Sequence, residues 1–465
     1  MKSIKHIHNM RKEMFNHEIT ILRDTYRRLL RRNAKVNLIK LTGKTHPADL
    51  AEVFRHFSTE EQIEIFSLMK ENEHAAEFLV ELDDALVIEL LENESYERIA
   101  AIIEKAPTND QSGILNILED EKAQSIIELL NAEEQEEIAE IMGYPDDSAG
   151  TLMNTEVFTL HESITAGEAI KTLQDQEGAE MVFYLYITDD DDRLVGVISL
   201  RALTTTPSST KLKDIMIKNI HSIRPETDQE DVAKIVAQYN FLAVPVLDSD
   251  SKLLGIVTVD DIVDVIREEA TEDFLRMAGA GKDREILLKS SWENAKARLP
   301  WLFASWIGGI GAASIIGAFE NILANIVALA AFIPVILGMG GNIATQSSTI
   351  IVRGMATGRV NIGGEIKLIF KEIKVGLILG SLYGVLLGVF AKFTFTNAPD
   401  NLGFVVGLSI CASMVVAATV GTIIPLILRK LDIDPAIATG PFVTTSIDIL
   451  GVLFYFLIAG IFLEI

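Results

Sequence analysis

The sequence predicts a multidomain membrane protein: an α-helical superhelical N-terminal domain, an α/β pair of like modules, a long connecting helix, and an all-α membrane domain of five spans. Three observations carry this. The formal charge of -25 lies wholly before Trp301, because residues 301–465 hold eight bases and eight acids. That second part is a succession of long apolar runs, each sufficient to cross a bilayer. Between 155 and 270 one pattern of helix, strand, polar turn, strand and helix occurs twice. The expected divisions are 1–46, a basic helical arm; 47–150, the acidic superhelix; 151–210 and 211–270, the two modules; 271–300, the connecting helix; and 301–465, the membrane domain.

The charge distribution excludes some functions. The first 46 residues carry twelve bases and three acids, which leaves about -34 between 47 and 300. A polyanionic region of that size argues against nucleic acid and for divalent cations or basic surfaces as partners. The single cysteine, Cys411, lies in an apolar run, so neither a disulfide framework nor a cysteine metal cluster is expected. No apolar signal segment follows the basic N-terminus, and the soluble part is expected in the cytosol.

In the arm, Arg23, Arg27, Arg28, Arg31 and Arg32 make one basic helical face, with Ile19, Leu22, Tyr26, Leu29 and Leu30 partly opposite. Three roles stay open: lying on the acidic region, standing solvated, or meeting anionic lipid. From Pro47 to about Gly143 short apolar clusters recur, from Leu50, Val53 and Phe54 through to Ile138 and Ile141. Stacked short helices in a small superhelix follow. Ser58 with Glu61 three residues on fits a capping box at one helix start.

The first α/β copy places a helix at Thr165–Leu173 and strands at Val182–Ile187 and Leu194–Ser199. The second places a helix at Gln229–Tyr239 and strands at Ala243–Leu247 and Leu253–Val259. The run Gly255-Ile256-Val257-Thr258-Val259-Asp260-Asp261 resembles the CBS module, and the pair resembles a tandem CBS domain. Such pairs bind adenine nucleotides such as ATP, with a Thr or Ser and an Asp three residues later. Thr258 and Asp261 keep that spacing, whereas the first copy has Ser199 and Ala202, so the resemblance implies at most one conventional nucleotide site. A pair used only for packing and dimerisation is the plainer alternative.

Residues 262–300 read as helical throughout. Val263, Val265 and Ile266 form an apolar face, and Lys282, Arg284, Lys289, Lys296 and Arg298 mark the cytosolic approach to a first span. Five spans are placed near 301–319, 323–350, 375–395, 403–428 and 435–463. Bases concentrate between spans two and three and between four and five, which puts the N-terminus in the cytosol and the C-terminus outside.

Asp448 lies near the middle of the last span, preceded by Thr444, Thr445 and Ser446. A mid-membrane carboxylate costs roughly 2.5–3.5 kcal/mol on insertion scales, so it should face protein or water, and its default reading is functional. Span two carries Asn342 and Gln346 among glycines. Together with Asp448 these amides point to a hydrated pathway rather than to tight packing alone.

The segments Pro334–Gln346 and Asp434-Pro435-Ala436 leading to Thr444-Thr445-Ser446-Ile447-Asp448 resemble the signatures of the MgtE family of magnesium channels, and the likeness runs from about Pro47 to the end. The resemblance implies a homodimer in the cytoplasmic membrane with its pore between subunits. Asp448 would bind hydrated Mg²⁺, with Asn342 along the pathway and Asp434 near the inner mouth. It further implies that cytosolic Mg²⁺ closes the pore through sensor acids at Asp228, Glu230, Asp261, Asp264, Glu269, Glu272 and Asp273. Gly440 departs from the pattern, since some members have Asn there, and offers no side chain to a pore.

Cation chemistry agrees. Mg²⁺ sheds water reluctantly, so carboxylates, amides and hydroxyls can hold it through its hydration shell. All eight histidines precede residue 222, and a zinc or copper pore would be expected to offer imidazole or thiolate. A membrane zinc protease is disfavoured, because no His-Glu-x-x-His occurs. The protein is therefore not expected to be an enzyme. A CBS-regulated secondary transporter for another divalent cation or solute is the alternative.

Overall fold

The computed structural model describes residues 2–92, 94–175, 184–280, 290–360, 364–431 and 433–463, with residues 2–16, 438 and 439 described for their backbone alone. The chain forms two compact units, Met1–Arg267 and Glu268–Ile465.

In the first unit a long helix, Lys2–Arg31, and a short one, Lys35–Thr42, precede eight helices between Pro47 and Ile141. Alternate helices pack on one another, which generates the superhelix. Four of them begin at a side-chain cap: His46, Ser58, Ser95 and Asn131. Ser58 and Glu61 form the reciprocal capping box, and Asn131 with Glu134 forms another. The arm joins the same core: Tyr26 is buried beside Phe57 with ring centroids 5.9 Å apart, and Ile19, Leu22, Leu29 and Leu30 pack alongside. Of the three roles weighed for the arm, its apolar face thus takes the first, and Arg27 donates to the His56 carbonyl at 2.7 Å.

The first module has β1 (Thr159–His161), β2 (Tyr184–Thr188) and β3 (Leu194–Ser199), with β1 parallel and β3 antiparallel to β2. The start of the expected strand at Val182 lies outside the described residues. The second module has a helix at Gln229–Tyr239, then β4 (Ala243–Leu247) antiparallel to β5 (Leu253–Thr258). Residue 154, ahead of β1, bonds to β5: Asn154 N–H donates to the Ile256 carbonyl at 2.8 Å, and its carbonyl accepts from the Ile256 N–H at 2.9 Å. A Cβ on Gly255 would lie 2.7 Å from the Asn154 oxygen, so only glycine permits this approach. Met153 and Ala149 accordingly share a core with Val232, Val244 and Val257.

The connecting segment is not helical throughout. A helix runs over Val259–Met277 and stops in a turn with Gly279 at φ +68°. There Gly279 donates to the Arg276 carbonyl and Ala280 to that of Leu275, the pattern of a Schellman cap. Lys282, Arg284 and Lys289 lie outside the described residues. The next helix starts at Ser291, not at 301. Ser290 and Glu293 form its capping box, and it continues through Pro300.

Five helices of the second unit are long and apolar enough to cross a membrane: Ser291–Ala318, Val327–Ala356, Glu365–Thr394, Leu402–Lys430 and Gly440–Phe462. The fourth is central, burying Val405, Val406, Ile410, Met414 and Ala417. It lies backbone to backbone with the third, where a Cβ on Gly384 or Gly388 would come within 2.5 Å of the Gly407 or Gly403 carbonyl. The last span is broken near its start: Gly440 is non-helical and Pro441 lacks an N–H. Just beyond the break the hydroxyls of Thr445 and Ser446 donate to the Pro441 and Phe442 carbonyls at 2.6 and 2.7 Å.

Candidate functional site

The membrane part of the site forms where the last span crosses its neighbours. Ile447 packs on Gly340 of the second span, Ile449 lies against Gly311 of the first, and Gly308 of the first span abuts Thr445. Asp448 sits between those contacts, half-buried, with no hydrogen-bond partner among the described residues. Asn342 is two residues from Gly340, so the amide and the carboxylate lie within about one helical turn of the same depth. Asn342 and Gln346 are exposed on this chain one turn apart, along with Gly338. An exposed amide stripe facing hydrocarbon would be costly, so this face suits water or another protein surface.

Asp434 precedes the break at Gly440. One of its oxygens accepts from the Ala436 N–H at 2.8 Å, and the other is ion-paired to Arg276 of the Val259–Met277 helix. Arg276 is also paired to Glu272 one turn earlier on its own helix. Sequence reasoning named Asp434 and Glu272 but missed the cation joining them.

The second acidic group lies in the soluble unit. Thr258 ends β5, and both its hydroxyl and its N–H donate to Asp261, the arrangement that caps a helix start. Asp261 also accepts from the Asn109 amide at 3.2 Å, across from the helix Thr108–Asn116. The Asn109 side-chain oxygen is buried without a partner. Asp110, beside it, was not foreseen: burial and the like charges of Asp261 and Asp260 push its carboxyl up to about 7. Burial likewise raises Asp261. Carboxylates crowded beside an orphan carbonyl oxygen fit a hydrated dication, which would neutralise the former and be met by the latter.

The remaining expected sensor acids are more dispersed. Asp228 caps the helix Gln229–Tyr239, accepting from Glu230 N–H at 2.8 Å, while Glu230 pairs with Lys234 at 3.3 Å. Asp264 pairs with Arg267 at 3.1 Å. Glu269 and Asp273 lie farther along the Val259–Met277 helix. Among the described residues no three His, Cys, Asp or Glu side chains converge as a cage for a bare ion. For nucleotide, the second module supplies Thr258 and Asp261. In the first, Ser199 is spent on capping, donating nothing to residue 202 and accepting its N–H at 3.2 Å.

Five helices long and apolar enough to cross a membrane, one with an internal acid, joined to an acidic superhelix and a tandem α/β pair, have the layout of a membrane transporter. Family profiles agree: residues 333–458 match a divalent cation transporter, MgtE; 45–147 match the MgtE intracellular N domain; 149–207 and 212–268 match CBS domains. The chain is 34% identical to the magnesium transporter MgtE of Bacillus subtilis over 94% of its own length and 96% of the relative's. With the Enterococcus faecalis MgtE it shares 40% identity over 72% of this chain and 73% of the relative. The soluble part of a magnesium transporter superposes with a TM-score of 0.50 at 30% identity, covering 54% of this chain and 99% of that one. The cytosolic domain of the Mg²⁺ channel MgtE in complex with ATP matches with the same TM-score at 31% identity, over 52% and 99%. The chain belongs to the MgtE family.

Proposed function

We propose that the chain carries Mg²⁺ into the cytosol across the cytoplasmic membrane, as a homodimer with its N-terminus in the cytosol and its C-terminus outside, and that cytosolic Mg²⁺ closes it. The observation that carries this reading is Asp448: an intramembrane carboxylate without a protein partner among the described residues, level with Asn342. A water-clad dication passing Asp448 offsets the cost of its charge, and two copies of the chain give the exposed Asn342–Gln346 stripe a partner other than lipid. Family membership supports the same assignment and a transporter rather than an enzyme.

Closure by the transported ion follows from electrostatics. Asp110, Asp260 and Asp261 repel one another when ionised, and a dication held through water by these carboxylates and the Asn109 oxygen favours the arrangement in which they meet. The acids Asp228, Glu230, Asp264, Glu269, Glu272 and Asp273 extend this dependence. Adenine nucleotide is assigned to the second module, with Thr258 its phosphate partner and Asp261 its ribose partner. The test is current through inside-out patches bearing the full chain. An inward Mg²⁺ current that falls as Mg²⁺ is raised on the cytosolic face supports the reading, and strict coupling to Na⁺ or H⁺ contradicts it.

A further inference from the structure

The end of the connecting helix is seated on the break in the last span. A Cβ on Gly440 would lie 3.5 Å from the Arg276 carbonyl, 3.6 Å from that of Met277 and 3.7 Å from the Gly279 Cα, and one on Gly279 would lie 3.4 Å from the Pro441 ring. Gly440 and Pro441 thus lie at van der Waals distance from the turn that ends the helix. At this place Arg276 reaches across 158 residues of sequence to Asp434 while holding Glu272. Their side chains are 24%, 28% and 13% exposed, so the charges are largely withdrawn from water.

We propose that Arg276 is a tethered counter-cation: seated on Asp434, its guanidinium takes the place that a divalent cation would occupy at the inner mouth. The inference rests on the proposed closure by cytosolic Mg²⁺; it makes the end of the Val259–Met277 helix the gate and names the residue through which that gate excludes the ion. A guanidinium stays charged at any physiological pH and presents a planar fork suited to a carboxylate. A hydrated dication and Arg276 cannot both neutralise Asp434, so occupancy by one opposes the other. Glu272 holds one edge of the same guanidinium from within the helix, through Nη2, while Nη1 meets Asp434. Losing the Glu272 charge therefore loosens Arg276 from Asp434, which links the sensor acid to the mouth through one side chain.

The experiment uses inside-out patches from cells expressing the full chain, with Mg²⁺ varied on the cytosolic face. In Arg276→Gln the residual current at high Mg²⁺ should rise about tenfold, within the usual range of coupling between sites. Arg276→Lys should keep most of the closure. If the wild type closes with Mg²⁺ and Arg276→Gln closes equally well, the tethered-cation inference is overturned while the gate stands. If the wild type does not close at all, the gate reading falls, and this one with it.

Discussion

The Asn109 amide donates to the Asp261 carboxylate at 3.2 Å, joining a superhelix helix to the first turn of the Val259–Met277 helix across 152 residues of sequence. The contact puts Asp110 among like charges at the foot of the connecting helix. Replacing Asp110 by Asn removes one repelling charge without changing shape. The Mg²⁺-free protein should then unfold at a higher temperature, and the further rise produced by Mg²⁺ should shrink. Scanning calorimetry of the full chain, with and without Mg²⁺, measures both, and an unchanged Mg²⁺ increment would contradict the role given to Asp110.

The same carboxyl makes the soluble unit pH-sensitive. Its value of about 7 lies above the ordinary 3.8, so the folded state holds a proton that the unfolded state releases. Stability from this group is therefore full at low pH and is lost as pH rises through 7. Without Mg²⁺, going from pH 6 to pH 8 should cost on the order of 1 kcal/mol, seen as a falling unfolding temperature. Saturating Mg²⁺ should flatten that slope, since a bound dication favours the ionised form. A slope that Mg²⁺ leaves intact would assign the proton to a group outside the cation site.

Thr258 has two duties that substitution separates. As a helix cap, Thr258→Ala should cost about 1 kcal/mol of stability, while Thr258→Ser should cost little. As a nucleotide contact, the alanine variant should also weaken ATP binding about tenfold, the loss of one charge-assisted hydrogen bond, in calorimetric titration. Lost stability with full ATP affinity would leave the capping role alone.

Neutralising Glu272 and Asp273 together, as Gln and Asn, should leave current flowing at high cytosolic Mg²⁺. Protease protection of the soluble part by Mg²⁺ should weaken in parallel. Retained closure would remove those acids from the sensor.

Much of this architecture was legible from residue order because it is set locally. Capping pairs such as Ser58–Glu61 fix helix starts, alternation in Ala243–Leu247 gives strands, and apolar runs with flanking bases give spans. Asp448 stood out because one charge in such a run is conspicuous. The exceptions have physical causes. The division expected at 300/301 falls inside a helix, which begins at the Ser290–Glu293 box, a signal present in the sequence, and continues through Pro300. Gly279 ends the connecting helix early through a left-handed cap that helical periodicity does not report. Asp110 and Arg276 escaped notice because Asp261 and Asp434, the groups that give them their roles, are more than 140 residues away, and only folding brings them together.

The central claim is that Asp448 carries the ion, and uptake by a strain lacking its own Mg²⁺ transport tests it most directly. Cells expressing the wild-type chain should grow without added Mg²⁺ and take up the ion. Cells expressing Asp448→Ala, with equal membrane expression and the same elution volume in detergent, should do neither. Wild-type uptake by that variant would contradict the account.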